Sequence, residues 1–196
     1  MAMKVYGLPI STNVARVLVC LEEVGANYEV VPINFSMVEH KSIEHIAQSR
    51  TISKYVLRKN NSKLLKEDNL SDLAKVDMRL EVESHKFDRP MSVIIYQCLI
   101  IPNYLYGETD VKVVEENVEM LRKTFEVYEA RLSKFKYLAG DFISFADLSH
   151  FPTAYYLMDT PHASLLDEYP RVKASITDIL ARPTAKKVAK MMKATA

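Results

Sequence analysis

The sequence has few of the residues that make disulfides and tight turns. Among its 196 residues there are two cysteines, four glycines and no tryptophan. Cys20 and Cys98 belong to separate predicted helices and to no CxxC or metal-ligand spacing. They are most simply interpreted as small buried hydrophobic residues of a reduced protein. The sequence therefore predicts neither a disulfide framework nor a cysteine-based metal site.

A strong net charge and a long apolar run are also absent. The formal net charge is +1, which gives no global field to attract nucleic acid or an anionic membrane. No apolar run is long enough to span a bilayer, and the opening MAMKVYG has no apolar signal region. We therefore expect a cytoplasmic protein with no nucleic-acid or membrane partner.

Turn residues are missing from one long internal stretch. No glycine lies between Gly25 and Gly107, and no proline lies between Pro32 and Pro90. Such a stretch lacks the usual residues of a β-hairpin turn, so it is predicted to be helical. Its predicted helices run from His40 to Ala47, from Ser49 to Lys59 and from Leu70 onward.

Before that stretch, the pattern predicts strand, helix and strand. The first strand spans Lys4 to Leu8, and the second spans Tyr28 to Ile33. Between them an amphipathic run follows the possible caps Ser11 to Asn13 and closes at Gly25. One intervening helix favours a parallel pair, although a sheet of two strands is thin.

The second half is predicted to be entirely helical. One long helix carries apolar residues at steps of three and four, which predicts a buried stripe: Val114, Val118, Leu121, Phe125, Tyr128 and Leu132. Ser144 and Asp147 have the spacing of a capping box. Pro90 is expected to kink or break a helix, and Pro170 and Pro183 to mark helix boundaries. The polar stretch from Lys59 to Asn69 is the predicted boundary between residues 1–62 and residues 68–196.

Three polar clusters could carry chemistry, and each has a simpler explanation. Ser11 and Thr12 could cap a helix, or the Ser11 hydroxyl could donate to a bound thiolate at a helix N-terminus. His40 and Lys41 are either a solvated pair or a carboxylate-binding pair. The Gln48–Arg50 segment could begin a helix or hold an anion. The other histidines show no metal-ligand spacing.

The chain resembles the plant phi-class glutathione transferases over nearly its whole length. Two long stretches carry most of the resemblance: STNVARVLVCLEEVGANYEVVPINF and KVVEENVEMLRKTFEVYEARLSKFKYLAGDFISFADLSHFPTAYYL. Shorter matches are MKVYG, EHKS, SRTISKY, TPHASLLDEYPRVKA and ARPTAKKVAKMM. The resemblance implies an α/β plus all-α fold, with a shortened thioredoxin-like N-terminal domain followed by an all-helical C-terminal domain.

The resemblance also implies an activity and its residues. Family members add the glutathione thiolate to hydrophobic electrophiles and are mostly cytosolic homodimers that need no metal. By position, Ser11 matches the thiol-activating serine, with Thr12 beside it. His40 and Lys41 match the pair that holds the glycine carboxylate of glutathione. Ser49 matches the serine that binds the γ-glutamyl carboxylate, and Gln48 stands beside it where an acidic residue is usual.

One departure from the family pattern is large. Relatives carry a cis-proline loop and a β-hairpin between the segments that resemble EHIA and SRTISKY, whereas here only Gln48 lies between them. Ile43 replaces a usual proline, and Ser175 and Ile176 replace two usual tryptophans. Three hypotheses stay open: a transferase impaired by this loss, a non-catalytic carrier of hydrophobic ligands, and a structural or dimerisation module. The apolar residues Tyr104, Tyr106, Phe151 and Tyr155 are either helical core or a ligand-binding wall.

Overall fold

The structure, a computed structural model, describes residues 2–32 and 49–194. The helix predicted from His40 to Ala47 lies outside these residues. Within them, two strands and a set of helices form the fold, so the α/β plus all-α class is confirmed. Across the same ranges, no helix has both the length and the apolar character that crossing a membrane requires.

The two strands pair in parallel, as predicted. Strand β1 spans Met3–Tyr6, and β2 spans Tyr28–Val31. The register aligns Met3 with Tyr28 and Tyr6 with Val31. Strand β1 ends earlier than predicted because Gly7 takes a φ of +142°, which only glycine adopts readily. A Cβ on Gly7 would lie 2.5 Å from Cγ2 of Val14, so this glycine also lets β1 approach the first helix.

The other regular elements of the described chain are helices. The two longer helices near the N-terminus are α1 (Thr12–Glu23) and α2 (Ser49–Lys59), the latter as predicted. A 3-10 turn at Lys63–Leu65 leads into α3 (Leu70–Val82). The following helices are α4 (Arg89–Ile95), α5 (Ile101–Tyr104), α6 (Val111–Leu132), α7 (Phe145–Leu148), α8 (Phe151–Leu157), α9 (Pro170–Ala181) and α10 (Pro183–Ala194). A second 3-10 segment spans Ala163–Glu168.

Pro90 does not break the helix in which it lies, so that part of the prediction is wrong. The chain continues from α3 through a π-helical segment at Glu83–Asp88 directly into α4. A second π-helical segment, Tyr96–Ile100, precedes Pro102 in the same way. Proline lacks an N–H and crowds the carbonyl one turn earlier, and the wider π turn accommodates both effects. Pro170 and Pro183 do begin helices, as predicted.

Helix α1 lies at the centre of the fold. Every residue from Val14 to Leu21 is buried, because α1 packs against α2, α8 and α10. Side chains of β1 and β2 cover the same apolar cluster, which also includes Phe145 and Phe151 of the helical half. A helix that is buried all round needs no polar face, so a charged residue within it must find its partners inside the protein.

The long helix α6 supports a second apolar cluster. Of the six residues in the predicted stripe, Val114, Leu121, Phe125 and Tyr128 are buried, whereas Val118 and Leu132 are half-buried at its edge. Phe87, Met91 and Ile94 cover this stripe from the neighbouring π segment and α4. The capping box at Ser144 and Asp147 is present at the start of α7.

Candidate functional site

Ser11 stands at the N-terminus of α1 with its hydroxyl uncommitted to the helix. Its backbone is extended (φ −69°, ψ 127°), and its side chain makes no capping hydrogen bond. Its carbonyl oxygen accepts the first helical bond from the Ala15 N–H at 2.8 Å. Ser11 therefore occupies the capping position without using its hydroxyl as a cap. That hydroxyl and the free N–H groups of the first turn can interact with a ligand.

The helical half fixes the loop that precedes Ser11. The Tyr156 hydroxyl donates to the carbonyl oxygen of Ile10 at 2.7 Å, across 146 positions of sequence. Burial, followed by the nearby Tyr155 and Tyr104, raises the pKa of Tyr156, so this phenol stays neutral and able to donate. The position of the candidate serine is thus set from both halves of the fold.

Ser49 is buried, and its hydroxyl is held by two side chains of α1. The hydroxyl donates to Oδ1 of Asn13 at 3.0 Å and accepts from Nη1 of Arg16 at 3.0 Å. These contacts join the first residue of α2 to the first turns of α1. The structure thus brings two of the predicted sites, the start of α1 and the start of α2, into one hydrogen-bonded group.

Arg16 anchors this group inside the protein. Its side chain is completely buried, and Nη2 lies 2.8 Å from Oδ1 of Asp88 and 3.8 Å from Oε1 of Glu83. Its Nε also donates to the Ser149 carbonyl oxygen at 3.4 Å. A buried charge is tolerated only when it is paired and hydrogen-bonded, and these contacts satisfy that condition.

Arg50 completes the set of charges. It binds both carboxylate oxygens of Glu83, at 2.8 and 3.1 Å, and its Nη2 lies 3.1 Å from Oδ2 of Asp88. Burial lowers the pKa of Arg50, but attraction to Glu83 and Asp88 outweighs it, so the pKa lies above its ordinary value. Two arginines from the N-terminal part and two carboxylates from the π segment at Glu83–Asp88 therefore form a neutral network.

Two cavities flank Asn13. The larger, of about 490 Å³, lies between the first turns of α1 and α2 and the helices that follow; Thr12, Asn13, Arg50, Lys54, Asp88 and Arg89 are among its lining residues. The smaller, of about 240 Å³, lies between β1, α1 and α2 and is lined mainly by apolar side chains: Val5, Tyr6, Val14, Val17 and Ile52. Lys4, Asn13 and Ser49 are its polar lining residues.

His40, Lys41 and Gln48 lie outside the described residues. The four candidate wall residues divide into two kinds. Phe151 is buried core and Tyr155 is half-buried, whereas Tyr104 and Tyr106 are 53% and 90% exposed. Within residues 2–32 and 49–194, no group of His, Cys, Asp or Glu side chains could hold a metal ion.

Of the two cysteines predicted to be buried, Cys20 is buried and Cys98 is only half-buried. Cys20 is fully buried, and burial raises the pKa of its thiol to about 12, although a hydrogen bond with Ser53 opposes this. Partial burial also raises the pKa of the Cys98 thiol. Neither thiol is activated for nucleophilic chemistry, which requires a lowered pKa.

Sequence reasoning missed Asn13 and Arg16. Arg16 is the only charged residue in the run VARVLVCL, and a lone charge on a helix that is otherwise apolar is a signal of an internal partner. The partners themselves could not be read from the sequence, since Asp88 lies 72 positions away.

Two family models match the chain. The N-terminal domain of glutathione S-transferases matches residues 1–54, and their C-terminal domain matches residues 87–183. The chain belongs to the glutathione S-transferase family. This family member is similar to a probable glutathione S-transferase GSTF1 of rice, Oryza sativa subsp. japonica, with 50% identity over 97% of this chain and 96% of the relative. It is 47% identical to glutathione S-transferase 1 of Zea mays, over 99% of each chain.

Solved structures agree with this assignment. Glutathione S-transferase I from maize, in complex with an atrazine–glutathione conjugate, superposes with a TM-score of 0.91 at 47% identity over 100% of each chain. Glutathione transferase F7 from Populus trichocarpa gives a TM-score of 0.88 at 40% identity, over 96% of this chain and 98% of that one. These relatives confirm the resemblance to plant phi-class enzymes and the thioredoxin-like plus all-helical fold class.

The comparison also confirms that this family member is shortened. The alignment with the rice relative extends over 211 positions, whereas the whole chain has 196 residues, so at least fifteen positions of the relative have no counterpart here.

Proposed function

We propose that the chain conjugates the glutathione thiolate to hydrophobic electrophiles and that the shortened N-terminal half weakens this activity. The observation that carries the proposal is the Ser11 hydroxyl, which stands at the N-terminus of α1 and makes no capping bond. Family membership supplies the reaction class. The proposed glutathione-binding residues are Ser11, Thr12, His40, Lys41, Gln48 and Ser49.

The chemical task of Ser11 is to stabilise a thiolate. A free thiol has a pKa of about 8.5, so only a few per cent is ionised at neutral pH. Lowering this pKa by about two units requires about 2.7 kcal/mol of preferential stabilisation of the anion. A hydroxyl donor and the positive end of a twelve-residue helix both stabilise an anion, and together they are suited to supply this stabilisation of the thiolate. Ser11 acts as a donor in this scheme and not as a nucleophile.

The shortening should impair positioning more than thiol activation. In the phi-class enzymes that the chain resembles, the cis-proline loop that is missing here pairs with the cysteinyl backbone of glutathione. Two lost hydrogen bonds correspond to about 1–3 kcal/mol of binding. Misplacing the thiol by about 1 Å lowers turnover further, on the order of a hundredfold. We therefore expect weak glutathione binding and slow turnover.

The test is a pH series with Ser11→Ala. Conjugation of a generic electrophile should fall strongly at neutral pH and recover in part towards about pH 9, where the thiol ionises unaided. Ser71→Ala is the matched control, because Ser71 is an exposed serine near the N-terminus of α3. It should leave the pH profile unchanged. Equal rates for wild type and Ser11→Ala across the series would refute the role of Ser11.

A second candidate function is favoured by the smaller cavity. Its lining is mainly apolar, and it lies against β1, where a carrier of hydrophobic ligands could bind them without turnover. Calorimetry with glutathione and with an apolar fluorescent probe separates the two functions. Probe binding without any glutathione binding would favour the carrier.

The proposed cellular setting follows from the resemblance. We propose a cytoplasmic homodimer whose partners are glutathione and small hydrophobic electrophiles. Sedimentation at micromolar concentration tests the dimer, and a monomer would contradict it.

A further inference from the structure

The orientation of the Asn13 side chain is fixed by its neighbours. Its Oδ1 lies 3.0 Å from Nη1 of Arg16 and 3.0 Å from the Ser49 hydroxyl. A guanidinium can only donate hydrogen bonds, so the atom that faces it must be the amide oxygen. The amide nitrogen of Asn13, with its two N–H donors, therefore lies on the side away from Arg16.

Arg16 is rigidly held, so it holds Asn13 rigidly as well. The guanidinium is fully buried and is bound by Asp88 and by the Ser149 carbonyl oxygen. Its side chain has lost its rotamer freedom on folding, and binding a ligand would not have to restrict it again. The Asn13 amide is consequently pre-organised before any ligand arrives.

The amide nitrogen is available to a ligand. It makes no hydrogen bond to another residue within 2–32 and 49–194, and Asn13 is only partly buried. Asn13 also lines both cavities beside the start of α1. The larger cavity is lined by the cationic side chains of Arg50, Lys54 and Arg89 and by the acidic side chains of Glu81 and Asp88. Arg50 and Lys54 are already paired with carboxylates, which leaves Arg89 as the lining cation with no ion pair among the described residues. A donor presented here meets a carboxylate more favourably than a cation.

We propose that Asn13 is a further glutathione-binding residue, whose amide nitrogen donates to the γ-glutamyl carboxylate. Arg16 is then the positioning residue that keeps the donor facing the cavity. The γ-glutamyl end is the relevant one because Asn13 contacts Ser49, the residue proposed for that carboxylate. The inference rests on the proposed function and adds to it a donor that is built into α1.

Asn13→Ala tests the donor without adding charge. Calorimetry should show glutathione binding about ten- to hundredfold weaker, the size expected for a hydrogen bond to a charged group. Cysteinylglycine lacks the γ-glutamyl unit, so its affinity should not change. In turnover, KM for glutathione should rise while kcat at saturating glutathione stays close to wild type. An equal loss of affinity for glutathione and cysteinylglycine would overturn the inference.

A second variant, Asn13→Asp, removes the donor but preserves the contacts that stabilise the fold at this position. The new carboxylate still offers an oxygen to Arg16 and Ser49, so the thermal unfolding midpoint should not fall. The substitution replaces the amide N–H donor by a carboxylate oxygen, which repels the γ-glutamyl carboxylate. Glutathione affinity should therefore fall more than in Asn13→Ala. Asn69→Asp is the matched control, because Asn69 is an exposed N-cap that works equally well as aspartate. It should bind glutathione like wild type.

The failures of the two proposals are distinguishable. Wild-type protein that binds glutathione together with an Asn13→Ala variant of equal affinity overturns the role of Asn13 alone. Unchanged affinity in Asn13→Ala with reduced affinity in Asn13→Asp would mean that only charge near the site matters, and it also overturns the donor role. Wild-type protein that binds no glutathione overturns this inference and the proposed function together.

Discussion

Replacing Asp147 by alanine should destabilise the protein far more than the loss of an ordinary helix cap. The carboxylate is fully buried. Its Oδ1 accepts from the Leu138 N–H at 2.9 Å, and its Oδ2 accepts from the N–H and the hydroxyl of Ser144 at 2.9 and 2.8 Å. It therefore connects the start of α7 to the chain that follows α6.

The magnitude follows from the donors that alanine would leave without a partner. Each buried donor that loses its acceptor costs about 1–3 kcal/mol. The Ser144 hydroxyl can rotate to another acceptor, but the two backbone N–H groups are fixed in place. We therefore expect Asp147→Ala to lower the free energy of unfolding by about 3–5 kcal/mol, against about 1 kcal/mol for a typical cap.

The assay is equilibrium denaturant unfolding followed by circular dichroism. Asp110→Ala is the matched control, since Asp110 caps α6 at an exposed position with a single bond of 3.1 Å to the Val113 N–H. The control variant should lower the free energy of unfolding by about 1 kcal/mol. If the two variants differ by less than about 1 kcal/mol, the burial argument for the Asp147 donors is refuted.

Two further predictions concern charged side chains. Arg16→Met should lower the free energy of unfolding by about 3–5 kcal/mol, because it removes one of the two arginines that pair with Glu83 and Asp88 and leaves Arg50 alone to balance two carboxylates, of which Glu83 is fully buried. Arg122→Met, which breaks an exposed ion pair, should cost at most about 1 kcal/mol, and equal costs in denaturant unfolding would contradict the first value. Burial raises the pKa of Glu23, but hydrogen bonds from Arg182 and Thr184 outweigh it, so the pKa lies below its ordinary 4.5. This glutamate therefore stabilises the fold above pH 4.5 and loses that contribution as the pH falls through its lowered pKa. Glu23→Gln should flatten the acid limb of stability, measured by urea unfolding between about pH 3 and pH 7, whereas the exposed Glu29→Gln should follow wild type.

Local signals predicted much of the fold. The bounds of α2, the buried stripe of α6 and the helix starts at Pro170 and Pro183 all follow from spacing or from proline geometry, which act within one or two turns. Pro90 shows where such signals fail. Its effect depends on whether neighbouring helices hold the backbone in place, and here the chain widens into a π segment and continues.

The candidate site was predicted only in its outline. The position of Ser11 at the start of α1 could be inferred, but the pattern could not show that its hydroxyl makes no cap. The contacts of Ser49 with Arg16 and Asn13 join positions that are 33 and 36 residues apart. No spacing rule covers such contacts, because they depend on how α1 and α2 pack.

The ion network between the two halves has a consequence for how the protein unfolds. The N-terminal part contributes the positive charges of Arg16 and Arg50, and the helical part contributes the negative charges of Glu83 and Asp88. If one part unfolded alone, the other would keep two like charges in a site built for neutral pairs. Partly unfolded forms are therefore penalised on both sides of the network. We expect the two halves to unfold in a single cooperative transition, so that neither half is a stable unit when expressed by itself.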